Sequence, residues 1–325
     1  MKAIQIASYG NPLEVIEIID LPEPPPPGAG EVLIAIEYAP LNHNDLLLIG
    51  GSFPVHPDLP SIVGNEAVAT VLSTGPAVEN VKRGDRVIPP LYSLTWRERM
   101  VIPAAELVPL PEDVDLQQLA MLRINPPTAA LLLSEFVDLK PGDWVVQNCA
   151  NSGVGLAVIA FAKKRGFKTI NFVRRQEQVL DIEAAGGDIV LTDHDQSFEK
   201  AIQMIGTDPV RLALDGISGR ASAQLATLLS TGGALVNYAQ MSGEMSAPGD
   251  LRPLMRKGIT LHNFYQARKE YFPKIPGILH EATELIRSGK LHVPVAAVYP
   301  ITAIHDAITH TLRGGKVLIA ITNPA

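Results

Sequence analysis

The stretch "VVQNCANSGVGLAVIAFA", residues 145–162, decides the fold. An apolar strand pattern runs directly into a turn that contains Gly153 and Gly155, and a helical pattern follows. Glycines at such a turn let backbone N–H groups and a helix N-terminus approach a phosphate with no Cβ in the way. The turn departs from the G-x-G-x-x-G pattern, because Ala150 and Ser152 occupy the first two glycine positions. The pattern predicts a dinucleotide-binding turn, and its alternative is a tight strand–helix turn that binds no ligand.

Strand and helix patterns alternate around this stretch, from residue 119 to residue 297. Repeated strand–helix units predict an α/β fold in which right-handed crossovers build a doubly wound parallel sheet. Residues 1–118 are instead punctuated by Pro and Gly, and "LPEPPPPGAG" (21–30) reads as a rigid connector between strands. This first part is predicted to be β-rich. Residues 298–325 give a strand, a helix and a strand that could rejoin it, which would leave the α/β domain inserted.

The second strand of the α/β domain indicates which dinucleotide is bound. It ends in "NFVRR", so that Arg174 and Arg175 stand where NAD-binding folds place an acidic residue for the ribose hydroxyls. Guanidinium groups hold a 2′-phosphate, whereas a carboxylate repels it. The alternative is a solvated arginine pair at the start of a helix, where the helix dipole disfavours positive charge. The sequence favours NADP(H) over NAD(H).

The composition excludes several classes of function. The 325 residues include 27 Lys and Arg against 34 Asp and Glu, a net charge of −7, so there is no basic field for nucleic acid or an acidic membrane surface. One cysteine, Cys149, excludes an internal disulfide and a cysteine-based zinc cluster, and it favours a reducing compartment. The first ten residues read as a strand, and no apolar run reaches ~18 residues. We expect no membrane span and a cytoplasmic location.

Several motifs match one superfamily in its own order along the chain. They are "PLNHNDLLLIGG", "LPSIVGNEAVATV", "VKRGDRVIP", "LTWRERMVIPAAELVPLP", "INPPTA", "LKPGDWVVQNCANSGVGLAV" and "TINFVRR". With them the chain resembles the zinc-free branch of the medium-chain dehydrogenase/reductase superfamily, and most of all the mitochondrial-type trans-2-enoyl-thioester reductases and the quinone oxidoreductases. The resemblance implies a GroES-like catalytic domain over 1–118 and 298–325, a Rossmann-type NADP(H)-binding domain over 119–297, and a homodimer.

The resemblance also implies a set of residues that contact NADPH. They are Asn125, Asn151, Ser152, Gly153, Val154, Arg174, Arg175, Gln176, Tyr238, Met241, Phe264, Tyr265 and Lys316. The loop "YAQM" departs from the family, which has glycines where this chain has Ala239 and Gln240. Some of these residues have another interpretation, since the aromatic ones could belong to the core and Lys316 could be a surface charge.

A metal site is not expected. Zinc-dependent members of the superfamily have a cysteine at the position of Asn42 and a histidine at that of Asn65, and catalytic zinc prefers such ligands. The two asparagines offer only weak neutral oxygen donors. His43, Asp45 and Glu66 remain, but they do not replace the missing ligands.

The proton donor is the open question. In the enoyl-thioester reductases a tyrosine occupies the position of Phe53 in "GSFP", and a phenyl ring has no hydroxyl to donate. The loss of such an acid commonly costs on the order of 10² to 10⁴ in rate. Tyr92 in "PPLYSLTW" is the first candidate for a relocated donor and His43 the second, although either could be an ordinary loop residue. Alternatively, the acceptor takes its proton from water, or the protein binds NADPH without turnover.

Three functions remain open on these grounds. The leading one is an NADPH-dependent reductase of an activated C=C bond, with a 2-enoyl thioester as its small-molecule substrate. The second is an NADPH:quinone oxidoreductase, because a flat acceptor suits aromatic residues such as Phe53 and Tyr92. The third is a non-catalytic NADPH-binding protein. The apolar segment "ITLHNFY" could form the edge of a homodimer.

Overall fold

The computed structural model describes residues 1–244 and 252–322 of the chain. The chain divides into two compact units, Met1–Ile124 together with the residues from Val293 onward, and Asn125–His292. Among the residues that the structure describes, no helix is both long enough and apolar enough to cross a membrane.

Strands and helices are numbered in chain order. The strands are β1 (Lys2–Ile6), β2 (Ile16–Asp20), β3 (Glu31–Leu41), β4 (Ser61–Ile62), β5 (Val68–Thr74), β6 (Arg86–Ile88), β7 (Arg99–Pro103), β8 (Val108–Pro109), β9 (Trp144–Gln147), β10 (Lys168–Val173), β11 (Ile189–Thr192), β12 (Val210–Asp215), β13 (Ala234–Asn237), β14 (Thr260–Asn263), β15 (Val295–Pro300) and β16 (Lys316–Ala320). The helices are α1 (Pro12–Val15), α2 (His43–Ile49), α3 (Leu116–Leu119), α4 (Asn125–Leu132), α5 (Gly153–Arg165), α6 (Gln178–Ala184), α7 (Asp195–Ile205), α8 (Arg220–Leu228), α9 (Arg252–Lys257), α10 (Ile275–Arg287) and α11 (Ile304–Arg313).

The first unit is built around β3. One sheet has the order β2-β1-β4, and the larger sheet has the order β15-β16-β3-β5-β6-β8, with β7 also paired to β3. Alternating β-branched residues explain this strand, because Val32, Ile34 and Ile36 all point into the core with no exposed surface. The last strand, β16, lies antiparallel to β3, with Val317 opposite Leu41. Both ends of the chain therefore contribute to one sheet.

The second unit contains a six-stranded sheet in the order β11-β10-β9-β12-β13-β14. Every strand pair in it is parallel. Its core includes Val146, Phe172 and Leu235. The strand order reverses beside β9, and ligands of such sheets bind beyond the carboxyl ends of the strands at that reversal. The predicted doubly wound parallel sheet is confirmed.

The limits of the units differ by a few residues from the domain boundaries expected after residues 118 and 297. The side chain of Gln118 contacts the start of the last segment of the first unit. Its Nε2 donates to the carbonyl oxygen of Val293 at 3.0 Å, and its Oε1 accepts from the N–H of Val293 at 2.9 Å. These two bonds hold the end of the first segment and the start of the last segment together within the first unit.

Candidate active site

The glycine turn leaves β9 and enters α5 with close packing on both sides. The Ser152 hydroxyl caps the helix by accepting from the N–H of Gly155 at 3.0 Å. A Cβ on Gly155 would lie 2.5 Å from the carbonyl oxygen of Ala150, and one on Gly153 would lie 2.5 Å from Nδ2 of Asn125. At Gly155 the clash would be with the backbone, whereas at Gly153 it would displace the side chain of Asn125. The structure thus brings the predicted residues Asn125, Ser152 and Gly153 together, while Asn151 is exposed and Val154 half-buried.

Arg174, Arg175 and Gln176 directly follow β10 and are exposed. Because β9 and β10 are parallel neighbours, this turn and the glycine turn leave the sheet at the same edge. Arg175 forms an ion pair with Glu177, with 3.1 Å between Nε and Oε1. The pair of guanidinium groups can receive an anion from solvent at this edge without being withdrawn from a buried ion pair.

The loop after β13 meets the glycine turn. The hydroxyl oxygen of Tyr238 would lie 2.7 Å from a Cβ on Gly216, so Gly216 provides the space for the phenol. Burial raises the pKa of Tyr238 well above its ordinary value. The Sδ atom of Met241 is 3.8 Å from the Sγ atom of Cys149. Tyr238 and Met241 therefore stand at the same edge of the sheet as the glycine turn, even though Ala239 and Gln240 replace glycines between them.

The two aromatic residues after β14 lie further along this edge. The backbone N–H of Phe264 donates to the carbonyl oxygen of Asn237 at 2.8 Å. Its ring stacks on that of Tyr271, with 5.8 Å between the ring centroids, and packs edge-on against Phe136 at 6.4 Å. Tyr265 is half-buried. The environment of Phe264 is thus an aromatic cluster within the second unit.

A polar cluster is buried in the first unit where α2 begins. Nδ2 of Asn42 donates to Oε1 of Glu66 at 2.7 Å, and Nζ of Lys316 donates to Oδ1 of Asn42 at 2.7 Å. The carboxylate of Asp45 accepts from the backbone N–H groups of Asn42 at 2.8 Å and Asn65 at 3.2 Å. Lys316 is therefore a member of this cluster rather than a free surface charge.

Burial shifts the ionisation of all three charged groups in this cluster. It raises the pKa of Asp45 and that of Glu66 to about 7 each, because a carboxylate loses its hydration there. It lowers the pKa of Lys316, although Glu66 and Asp45 oppose that shift. The cluster can consequently hold or release a proton near neutral pH.

The positions that would bind zinc in related enzymes carry amide side chains here. Neither the oxygen nor the nitrogen of the buried Asn65 amide has a hydrogen-bond partner in the described part of the chain. Within residues 1–244 and 252–322, no group of three or more His, Cys, Asp or Glu side chains is arranged to hold a metal ion. Neutral amides in place of thiolate and imidazole ligands do not fit a catalytic zinc.

Phe53 and Tyr92 are brought together. Their ring centroids are 5.9 Å apart, and the planes are tilted by 57°. Tyr92 has a left-handed backbone with φ of 63°, and its N–H donates to the carbonyl oxygen of Asn65 at 3.1 Å. His43 starts α2. Burial lowers the pKa of its imidazole, and its Nε2 has no partner among the described residues.

Polar residues at the ends of the apolar strands of the second unit are functional candidates that the sequence motifs did not indicate. Asn148 follows β9, Asp215 ends β12 and Asn237 ends β13, and the carboxyl group of Asp215 accepts a hydrogen bond from each of the two asparagine side chains. A polar residue at the carboxyl end of a buried parallel strand was the available signal, because these ends meet at one edge of the sheet.

Family models and sequence relatives show the class of protein to which the chain is similar. Residues 28–112 match the family model of the alcohol dehydrogenase GroES-like domain, and residues 153–281 match that of the zinc-binding dehydrogenases. The mitochondrial enoyl-acyl-carrier-protein reductase of Caenorhabditis elegans is 38% identical over 279 residues, which cover 84% of this chain and 79% of that protein.

Solved structures of the same class are similar over almost the whole chain. One is Etr1p, a chain of the mitochondrial 2-enoyl thioester reductase Etr1p/Etr2p heterodimer of Candida tropicalis, which was solved in complex with NADP and crotonyl-CoA. It is 22% identical, with a TM-score of 0.87, and the match covers 98% of this chain and 99% of that one. The Escherichia coli quinone oxidoreductase complexed with NADPH is 24% identical, with a TM-score of 0.85 and coverage of 99% and 100%. The chain belongs to the medium-chain dehydrogenase/reductase superfamily, in the zinc-free branch that contains the mitochondrial-type enoyl-thioester reductases.

The relatives contradict the expected cytoplasmic location. The matched reductase of Caenorhabditis elegans is mitochondrial, as are the matched reductases of rat, mouse and human. The prediction of a cytoplasmic location was wrong: beside the strand-like first ten residues and the lack of a long apolar run, its premise was the single cysteine, which indicates only a reducing compartment. That premise does not distinguish one reducing compartment from another.

Proposed function

We propose that the protein is an NADPH-dependent, metal-free reductase of the activated C=C bond of a 2-enoyl thioester. The observation that carries this proposal is the exposed pair Arg174 and Arg175, which follows β10 beside the glycine turn and fits a 2′-phosphate. The similarity to enoyl-acyl-carrier-protein reductases over 84% of the chain supports the thioester as substrate.

The second unit has the groups that a dinucleotide requires. A Cβ on Gly155 would meet the backbone of Cys149 and Ala150, so this glycine lets the turn pack closely against the start of α5, and a helix N-terminus is where a phosphate is bound. Nδ2 of the buried Asn125 has no partner in the described residues and is available as a donor beside Gly153. The proposed contacts in this unit are Asn125, Asn151, Ser152, Gly153, Val154, Arg174, Arg175, Gln176, Tyr238, Met241, Phe264 and Tyr265. The contact predicted for Lys316 of the first unit stays a prediction.

Tyr92 is the proposed proton donor. NADPH, when bound, supplies the hydride that reduces the β-carbon of the unsaturated thioester. The α-carbon then takes a proton from the Tyr92 hydroxyl, and water restores that proton. The ring contact between Tyr92 and Phe53 supports this role, because it places a phenol next to the position at which the family has its tyrosine.

Quinone reduction is the second candidate. The adjacent rings of Phe53 and Tyr92 favour it, because two aromatic side chains offer apolar contact to a flat acceptor. A quinone accepts the hydride at a polarised position and can take its proton from water, so it does not need the hydroxyl that Phe53 lacks.

The test follows NADPH absorbance with wild-type protein, a short trans-2-enoyl-CoA and a simple quinone. Oxidation with the thioester supports the first proposal, oxidation with the quinone alone supports the second, and NADPH binding without oxidation of either supports a binding role. Tyr92→Phe should lower kcat with the thioester by about 10² to 10⁴-fold. Tyr299→Phe is the matched control, since it removes a phenol that contacts His310 at 3.1 Å. An equal kcat in both variants would exclude Tyr92 as the donor.

A homodimer is proposed through β14. This strand lies at the edge of the parallel sheet and pairs only with β13 among the described strands, so one row of its N–H and C=O groups is open to another strand. Leu261 on β14 is 44% exposed. Leu261→Lys should therefore convert the dimer to a monomer in light scattering, and an unchanged mass would exclude this edge as the interface.

A further inference from the structure

A buried carboxylate joins two turns at the reversal of the parallel sheet. Asp215 ends β12 and has no exposed surface. Its Oδ1 accepts from Nδ2 of Asn148 at 2.7 Å, and Oδ1 of Asn148 accepts from the N–H of Gly216 at 2.7 Å. This reciprocal pair connects the turn after β9 to the turn after β12. Those are the two strands between which the chain order reverses.

The same carboxylate reaches the third turn at this edge. Oδ2 of Asp215 accepts from the hydroxyl of Ser222 and from Nδ2 of Asn237 at 3.4 Å. Nδ2 of Asn237 also donates to the Ser218 hydroxyl at 2.7 Å. The N–H groups of Ile217 and Ser218 donate to Oδ1 of Asp215 at 2.9 Å and 3.0 Å. Five donors from the protein thus satisfy a buried side chain whose oxygens would be strongly disfavoured in the interior without partners.

The network holds two residues in an unfavourable backbone conformation. Cys149 has φ of 51° and Ser218 has φ of 75°, and neither is a glycine. Cys149 follows Asn148 in the chain, and Ser218 is itself a donor to Asp215. Left-handed residues persist where their surroundings over-determine them, and they are frequent at ligand sites. The network is therefore an arrangement that fixes the shape of these turns at an energetic cost.

Residues proposed to contact the dinucleotide rest directly on these turns. The hydroxyl of Tyr238 lies against Gly216. The N–H of Met241 donates to the carbonyl oxygen of Gly216 at 3.2 Å, and its sulfur lies against that of Cys149. A change in the turn after β12 would move both of these side chains. It would also move the start of the glycine turn through Asn148.

We infer that Asp215 is a positioning residue for the dinucleotide. It does not touch the cofactor in this scheme; it joins three turns, and the turns after β9 and β13 carry residues proposed to contact the dinucleotide. The inference rests on the proposed NADPH binding. In Asp215→Asn an amide N–H₂ group would replace one carboxyl oxygen and would face N–H or O–H groups that need an acceptor. At least one of the three turns would then have to move.

The test is a fluorescence titration of NADPH with wild type and Asp215→Asn. The Kd for NADPH should rise at least tenfold. In steady-state kinetics KM for NADPH should rise by a similar factor, while kcat at saturating NADPH stays within about threefold of wild type, because binding and not chemistry is affected. Asp143→Asn is the matched control. Its carboxylate accepts from the N–H of Lys140 at 2.7 Å, just before β9 at the opposite edge of the sheet, and its Kd should equal that of wild type.

The outcomes separate this inference from the proposed function. A folded Asp215→Asn with wild-type Kd, even with a lower thermal midpoint, would show a purely structural role and overturn the inference. If that variant does not fold, Asn148→Ser replaces it, because it removes the bridge to the first turn and leaves the carboxylate its other donors; again an unchanged Kd overturns the inference. A wild type that does not bind NADPH would overturn the proposed function and this inference together.

Discussion

The buried carboxyl of Glu66 should make the first unit less stable as the pH rises. Its pKa is raised from 4.5 to about 7, mainly by burial. The folded protein therefore holds this proton more tightly than the unfolded chain does. Between pH 4.5 and pH 7 the folded state binds more protons, so the free energy of unfolding falls with rising pH through that window. Glu66→Gln keeps the size of the side chain but cannot ionise, and it should remove this contribution.

The magnitude follows from the size of the shift. The difference 7 − 4.5 is 2.5 pKa units, and at about 1.4 kcal/mol per unit the full effect is about 3.5 kcal/mol. Most of it, about 2.5 kcal/mol, develops between pH 5 and pH 8. The pKa of Asp45 is raised in the same direction. Because Asp45 is present both in the protein with Glu66 and in Glu66→Gln, its direct contribution to the free energy of unfolding largely cancels in the comparison.

Tryptophan fluorescence can follow the first unit alone. The chain has two tryptophans, and Trp96 is fully buried in the first unit. In a Trp144→Phe background, Trp96 therefore reports on that unit without the assumption that both units unfold in one step. Denaturant titrations at pH 5, 6, 7 and 8 then give the free energy of unfolding with Glu66 and with Gln at this position.

The difference in the free energy of unfolding between the protein with Glu66 and Glu66→Gln should change with pH. Relative to Glu66→Gln, the protein with Glu66 should lose about 2.5 kcal/mol between pH 5 and pH 8. Glu79→Gln, a change at an exposed carboxyl, is the control and should leave the pH profile as it was. If the Glu66 and Gln proteins keep a constant difference across this range, or if the difference changes with the opposite sign, burial does not govern the ionisation of Glu66.

Three further predictions concern the site. Replacing Arg174 and Arg175 together by Ala should raise KM for NADPH on the order of 10²-fold and leave KM for NADH unchanged in steady-state assays, because two charge-assisted bonds are lost; an equal rise for both cofactors would contradict 2′-phosphate recognition. Gly155→Ala should destabilise the protein by about 1 to 3 kcal/mol in thermal unfolding, since its Cβ would lie 2.5 Å from a carbonyl oxygen. The control is Gly277→Ala on α10, whose Cβ would meet nothing within 4 Å and should leave stability unchanged. Equal stability of the two variants would refute the close packing at Gly155. Phe53→Tyr should raise kcat with a short enoyl-CoA about tenfold or more by adding a second phenol, and an unchanged kcat would show that this position no longer faces the acceptor.

The sequence was sufficient for the architecture of the second unit, because its local patterns carry the information. The apolar run that ends at Gln147, the turn with Gly153 and Gly155, and the helix that ends at Gly166 each follow from neighbouring residues. The alternation of such units leaves little choice other than a parallel sheet.

Contacts between distant residues could not be predicted in this way. Lys316 bonds Asn42 across 274 positions, and Asp215 bonds Asn148 across 67 positions. Each pairing depends on which strands become neighbours, and a single sequence does not give the strand order. Asp45 is buried by the tertiary packing of the first unit, which the neighbouring polar residues in "NHND" do not indicate.

The pairing of β16 with β3 also has a consequence for how the protein is made. Leu41 can pair with Val317 only after the ribosome has made β16, so all of the second unit is synthesised between two strands that form one sheet. At roughly 5 to 20 residues per second, the nascent chain carries β3 without this partner for roughly 15 to 60 s. The second unit can fold on the ribosome during that interval, while residues 38–41 of β3, which pair with β16, remain a template for strands of other chains. Completion of the first unit is thus a late step of biosynthesis, because it requires the residues of β16.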